Sequence, residues 1–461
     1  MKGPWMMCFS GCLAVVTGWG CETGTAADGP VLWDAGTGDG TGLEGDTDAS
    51  QDGSPPDASV DSSSPEDAPG VNDVVYQDSS EDAATADAGG ETEGGTSKVK
   101  WHPGFYVRVT HPWDSMTIGE PNIRGAQVLY HWRDLESDDG EYRLDTASGG
   151  NPAGNPSKNV ADLAAQGKYM MILFFEQTYG SSASPCVPAY MRDKSAHPEL
   201  EGGQFVRIRN QDTGESTYPD EPPPSLPSNM KVVSCAPKLW IPAVQDRLFA
   251  LFEALGARLD GEPYFEGFIS GESSVSNPGP GAAWDAFFLE QQRVLSKAFP
   301  RSVVYQALNY TMNGKGVIPL LFQQAYDLGN VGIFGPDTVP GKDTWSTPYY
   351  RTYGNDAPAP NRIPLSMAMQ LPYAGGTTAG LDPSHPWQTL LDYATGELHV
   401  NHFFWDTYSW AESGYSTSDP SHSYVYSRDA VPMVNALNGE IPNSACPENI
   451  ATLAGGCQTN P

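Results

Sequence analysis

The sequence predicts an α/β chain whose folded part closes into a (β/α)8 TIM barrel with a long disulfide-pinned insertion after the third strand. Three observations carry this. Eight short β-rich apolar segments lie between Phe105 and Trp410, helical stretches separate most of them, and each segment runs into a cluster of polar or aromatic residues. The C-terminal rim of parallel barrel strands is where such folds assemble their chemistry. The fourth segment, Phe265-Glu266-Gly267-Phe268-Ile269-Ser270-Gly271-Glu272, stops on a carboxylate and so singles out Glu272.

Taken in order, the expected strands run from Phe105 to Thr110, Gly125 to His131, Tyr169 to Phe175, Phe265 to Ser270, Ser302 to Asn309, Val331 to Gly335, Leu365 to Gln370 and Val400 to Trp405. The expected helices are Asn159 to Gln166, Pro242 to Leu259, Ala282 to Ala298, Val317 to Leu328, Pro386 to Ala394 and Ser427 to Leu437. In the second of these, Val244, Leu248, Leu251, Phe252 and Leu255 recur at helical spacing, and Pro242 sits where its missing N–H is harmless. Between the third strand and its helix, Ser181 to Lys238 is rich in Pro, Gly, Ser and charge. A loop that long is usually functional or mobile, and this one is expected to cover the rim. Thr338 to Asn361, rich in Tyr, Trp and Pro, is expected to form a second wall.

Ahead of the barrel domain, residues 99–461, composition divides the chain again. Glu22 to Ser97 holds nineteen acidic residues and no Lys, Arg or His, more than half of the formal net charge of −32. Such a stretch buries too little apolar surface to offset chain entropy, so residues 21–98 are read as a disordered, self-repelling tether. The acidic balance argues against nucleic acid as a partner. Residues 1–20 read as a signal peptide: Lys2, an apolar run around Met6 to Val16, then small residues leading to Cys21. The stretch from Leu13 to Cys21 resembles a bacterial lipoprotein signal, which implies a lipid on Cys21 and export to the cell envelope. The alternative is an ordinary secretory signal with a chance cysteine. Setting aside Cys8, Cys12 and Cys21 leaves four cysteines, and two disulfides are the default in an exported protein. The expected pairs are Cys186 with Cys235, at the base of the insertion, and Cys446 with Cys457, in the tail. No spacing suggests a metal site, and no cofactor is implied.

Reading the strand ends gives His111, Trp113, His131, Trp132, Asp134, Glu136, Glu176, Tyr179, Glu272, Asn309, Tyr310, Asp337, Gln370, Tyr373, Trp405, Asp406 and Tyr408. Carboxylates and aromatics dominate. Sugars are bound by stacking apolar ring faces on aromatic rings, and glycosidic bonds are broken by two carboxylates, one protonating the leaving oxygen and the other attacking or activating water. On that chemistry the catalytic candidates are Glu272, Asp337, Glu176 and Asp406. The candidates for holding a carbohydrate are His111, Trp132, Asn309, Tyr310, Gln370, Trp405 and Tyr408. Asp134 and Glu136 are read as fixing the second loop, and Arg108 as a competing ion-pair partner for Glu272.

The segment from Gly125 to Glu136, followed by Gly140-Glu141-Tyr142, resembles the W-x-x-L-E-x-x-x-G-x-Y second-strand signature of barrel glycoside hydrolases in the large retaining clan of β-galactosidases and cellulases. The resemblance implies hydrolysis of a glycoside, with Glu272 in the place of the clan's acid/base residue. Two positions depart from it. Gly271 precedes Glu272 where the clan has Asn, and Gln370 stands where the clan's nucleophilic glutamate ends the seventh strand. An amide is not a nucleophile, so the second carboxylate is sought at Asp337 first, then Asp406 and Glu176. Two other readings stay open: a surface carbohydrate-binding protein that has lost catalysis, and a structural or adhesion protein carried on the tether.

Overall fold

The computed structural model describes residues 98–109, 119–145, 154–180, 185–273, 278–308, 315–335, 340, 345–354, 361–369, 386–407, 410–411 and 423–460. Eight parallel strands close on themselves: β1 (Gly104–Val109), β2 (Ile123–His131), β3 (Tyr169–Phe175), β4 (Phe265–Glu272), β5 (Val303–Ala307), β6 (Val331–Gly335), β7 (Leu365–Met369) and β8 (His402–Asp406). They follow one another around the barrel, and β8 pairs back onto β1 through Phe404 with Tyr106 and Asp406 with Arg108. The strands lie close to where the sequence puts them. Their apolar runs are continuous because one face packs into the lumen and the other under helices, as in Tyr169–Phe175, where all seven residues are buried.

The helical layer is α1 (Pro156–Ala164), α2 (Pro242–Leu259), α3 (Gly281–Ala298), α4 (Ile318–Leu328), α5 (Thr347–Gly354), α6 (Pro386–Gly396) and α7 (Tyr426–Ala436). Asn155 caps α1, its side chain accepting from the Lys158 N–H at 2.6 Å. In α2 the predicted apolar positions are buried, and Phe252 meets Phe174 and Phe268 of the barrel wall. The expected wall after β6 contains α5. Its Tyr350 is buried beside Phe322 of α4, with its hydroxyl on the Ser366 carbonyl of β7.

The insertion after β3 is more ordered than a long loop. It forms an antiparallel sheet in which Met230–Pro237 lies between Thr178–Tyr179 and Gln204–Asn210, with Ser216–Thr217 at the edge. From Val206 on, alternation explains it: Val206 and Ile208 are buried, while Arg207 and Arg209 are partly exposed. The Cys186–Cys235 disulfide ties the start of the insertion to its last strand, and Gln204 accepts from the Cys186 N–H at 2.9 Å. Cys446–Cys457 is also formed, and Val99–Lys100 pairs in parallel with Cys457–Gln458. Both expected disulfides are therefore present.

The N-terminal end of the lumen is filled by a buried polar cluster. An irregularity in β4 between Phe265 and Gly267 leaves Glu266 as an extra residue, and its carboxylate meets His102 Nδ1 at 2.6 Å and His402 Nε2 at 3.2 Å. The other nitrogen of His402 meets the Tyr305 hydroxyl at 2.7 Å, and Tyr169 stacks on His102 at 3.9 Å between centroids. Burial alone would raise Glu266, but His102 and His402 overcome it and hold its carboxyl far below the usual range. Burial pushes His402 down. This is a stabilising core at the end of the barrel away from its working rim.

Candidate active site

A second irregularity in β4 decides where Glu272 points. Ile269 pairs with Tyr305 and Glu272 pairs with Ala307, a step of three residues on β4 against two on β5. Side chains alternate along a regular strand, so three regular steps would leave Glu272 on the face opposite Ile269. The bulge restores it to the same face. That face is the lumen, because Tyr305 reaches His402 of β8, a strand that is not its neighbour in the sheet. Glu272 thus ends β4 at the C-terminal mouth with its carboxylate turned inward, 4% exposed. The Tyr179 hydroxyl, on the strand that links β3 to the insertion sheet, donates to it at 3.0 Å, and Gln177 Nε2 donates to its carbonyl at 3.3 Å.

Across the mouth, β8 and β1 supply an ion pair. Asp406 and Arg108 are register partners, and Arg108 Nη1 stands 3.1 Å from Asp406 Oδ1. Arg108 Nε also donates to Gln127 Oε1 of β2 at 3.1 Å. Arg108, expected as an alternative partner for Glu272, is engaged by Asp406 instead. The strand ends beneath are pinned by Tyr424, whose hydroxyl donates to the Asp406 carbonyl at 2.6 Å, and by Thr407, which donates to the Arg108 carbonyl at 3.1 Å.

Glu176, the residue after β3, does not face open space. Its carboxyl packs against Gly271, in the bulge itself: a Cβ on Gly271 would fall 1.8 Å from Oε2 and 2.2 Å from Oε1. The group is 1% exposed, and Oε2 has no hydrogen-bond partner among the described residues. Burial pushes this carboxyl up to about 8. The glycine before Glu272 is therefore a packing requirement, since Glu176 fills the space that any side chain there would need.

Two expected sugar platforms are corrected by their packing. Trp405 is fully buried and lies on the face of β8 opposite Asp406, its ring 6.1 Å from that of Trp387 on α6. Trp132 is fully buried and donates through Nε1 to Glu136 Oε2 at 2.7 Å, while Tyr190 of the insertion donates to Glu136 Oε1 at 2.8 Å. Trp132 and Glu136 of the second-strand signature are thus bonded to each other and serve loop architecture. Burial raises Glu136 and Asp134 above the usual carboxylate range, and pushes His131, stacked 6.0 Å from Phe175, down to about 4.

His111, Trp113, Asn309, Tyr310, Asp337, Gln370, Tyr373, Tyr408 and Cys21, the expected anchor, lie outside the described residues. Among the described residues no group of His, Cys, Asp and Glu is arranged to hold a metal ion, and no helix is long and apolar enough to cross a membrane. Sequence reasoning missed Gln127 as a site residue. The available signal was a polar side chain inside a strand buried on both faces, which is costly unless bonded.

No protein-family model and no curated protein sequence matches the chain. Among solved structures it is similar to endo-glycoceramidase II from Rhodococcus sp., at 14% identity over 74% of this chain and 80% of that one, with a TM-score of 0.41. It is also similar to a β-galactosidase from Rahnella sp. R3, at 12% identity over 76% of this chain and 58% of that one (TM-score 0.42), and to a β-galactosidase from Bacillus circulans, at 10% identity over 74% and 56% (TM-score 0.43). These neighbours are glycoside hydrolases. Likeness at this level lends no residue and no substrate to this chain; the barrel rests on its own strand order.

Proposed function

We propose that this chain is an exported protein of the bacterial envelope, anchored through a lipid on Cys21, whose barrel mouth hydrolyses a glycosidic bond with Glu272 as general acid. The observation that carries the reading is the bulge in β4, which turns a strand-end carboxylate into the lumen at the rim. Glu272 would protonate the leaving oxygen, and the Tyr179 hydroxyl 3.0 Å away would steady the carboxylate that results. The second carboxylate would attack the sugar or activate water, as hydrolysis by two carboxyl groups requires. Asp406, held by Arg108 on the lumen face of β8, is the candidate among the described residues, and Asp337 after β6 remains the other. This chemistry needs no cofactor.

The test is release of reducing ends from a panel of polysaccharides and glycolipids. Glu272→Gln keeps the shape of the side chain but has no proton to give, so turnover should fall by roughly 10²–10⁴-fold. Unchanged turnover would remove Glu272 from the mechanism. Gln370 in the nucleophile's place favours one other reading, a carbohydrate-binding protein without catalysis. Retention on a glycan surface with no reducing ends released from any member of the panel would select it.

A further inference from the structure

Glu176 is a buried carboxyl that the proposed reaction does not use, and three observations attach it to the reacting group. It follows β3 directly, its oxygens sit against Gly271, and Gly271 lies in the bulge that aims Glu272. One oxygen takes a hydrogen bond from the residue's own N–H, and Oε2 has no partner among the described residues. Burial alone raises it, no ion pair among the described residues involves it, and no cation among them offsets a charge there. An isolated carboxylate in such a place is strongly disfavoured, so the group stays neutral.

We propose that Glu176 is a positioning residue which must carry its proton for the β4 bulge to hold Glu272 toward the lumen. The inference rests on the reading of Glu272 given above. Ionisation would demand water around the carboxylate, and the space beside Gly271 is already filled by the carboxyl itself. Water entering there displaces Gly271, and Glu272 moves with it. The neutral group therefore acts as a packed wedge, while the charged one prises the strand ends apart. The ordinary carboxyl range lies well below neutrality, whereas burial places this one at about 8, so the device is set just above neutral pH.

Two measurements test it, one of them independent of any substrate. Infrared difference spectra of the full-length protein should show a protonated carboxyl carbonyl at pH 7 that disappears above about pH 8 and is missing from Glu176→Gln. For any glycan turned over in the panel, wild-type activity should fall more steeply above about pH 8, and Glu176→Gln, which cannot ionise, should keep only the alkaline limb set by loss of the Glu272 proton. Glu176→Ala removes the wedge and should lower kcat more than it changes KM, with Glu176→Gln restoring it. An unaltered alkaline limb in Glu176→Gln overturns the inference while leaving Glu272 in place. Absence of the neutral-carboxyl band at pH 7 overturns it whether or not a substrate is found. If Glu272→Gln is fully active, the reaction assignment fails instead, and the infrared result still decides the protonation of Glu176.

Discussion

Replacing Gly271 by alanine tests the packing argument without reference to activity. The new methyl carbon would stand 1.8 Å from one Glu176 oxygen, whereas side-chain carbons keep about 3.0 Å from non-bonded atoms, so something must move by more than roughly 1 Å. The carboxyl is 1% exposed, so relief by swinging out to solvent is closed to it. Overpacking of this kind costs about 1–3 kcal/mol, and Gly271→Ala should destabilise the barrel by about 2 kcal/mol. In a Glu176→Ala background the clashing atoms are gone, and the same substitution should cost close to nothing, since alanine is no worse than glycine in a strand. The coupling in the double-mutant cycle is then about 2 kcal/mol, readable from urea unfolding of the four proteins by tryptophan fluorescence. Additivity to within about 0.5 kcal/mol would mean that the two groups do not touch, and the explanation of the glycine would fall with it.

Two further outcomes follow from the rest of the molecule. Cys186–Cys235 closes a loop of 49 residues in sequence separation, which on the chain-entropy estimate contributes about 4 kcal/mol, so Cys186→Ser with Cys235→Ser should lower the urea midpoint markedly. An unchanged midpoint would show that the insertion sheet holds itself together. The cluster around Glu266 makes stability fall with acid. His402 is lowered from its ordinary 6.5 by burial, so the unfolded chain binds more protons below 6.5 and stability declines there. Glu266, held far below its ordinary range, contributes stability that is present above about 4.5 and lost beneath it. The cluster's contribution to the unfolding free energy should therefore decrease from pH 7 to 4, against the opposite contribution of Glu176, whose raised carboxyl stabilises the fold as pH falls below about 8, and His402→Gln should remove the part of the cluster's contribution between about 4.5 and 6.5 relative to wild type.

What the sequence shows of this fold follows from burial. A barrel strand is covered on both faces, so it appears as an unbroken apolar run, and Tyr169–Phe175 or Val331–Gly335 can be found without any neighbour in view. α2 is legible for a different reason, its period and its initial proline. Composition obscures the insertion sheet: Val206-Arg207-Ile208-Arg209 alternates as a strand covered on one face does, but it sits among Pro, Gly and Ser. The period of two also separates two of the expected site residues. Trp405 and Asp406 are adjacent on one strand and face opposite sides, so only one of them is able to enter the lumen, and it is Asp406.

Glu272 shows the limit of that period. Counting from Ile269 by twos sends it outward, and only the irregularity at Ser270 and Gly271 brings it in. A bulge leaves little trace in a sequence beyond a small residue, yet here the trace has a partner. Gly271 is small because Glu176 reaches over from β3, so the two residues constrain each other. A carboxyl from the neighbouring strand takes the volume that a side chain at position 271 would otherwise need. The contact also constrains substitution: Gly271→Asn alone adds a larger side chain to an occupied site, whereas Gly271→Asn combined with Glu176→Gly or Glu176→Ala has room. The two ends of the lumen differ in the same terms. At the lower end the carboxylate of Glu266 meets two imidazoles, while at the rim Glu176 is neutralised only by its own proton. A site that depends on a proton for its shape is the one whose geometry pH can change.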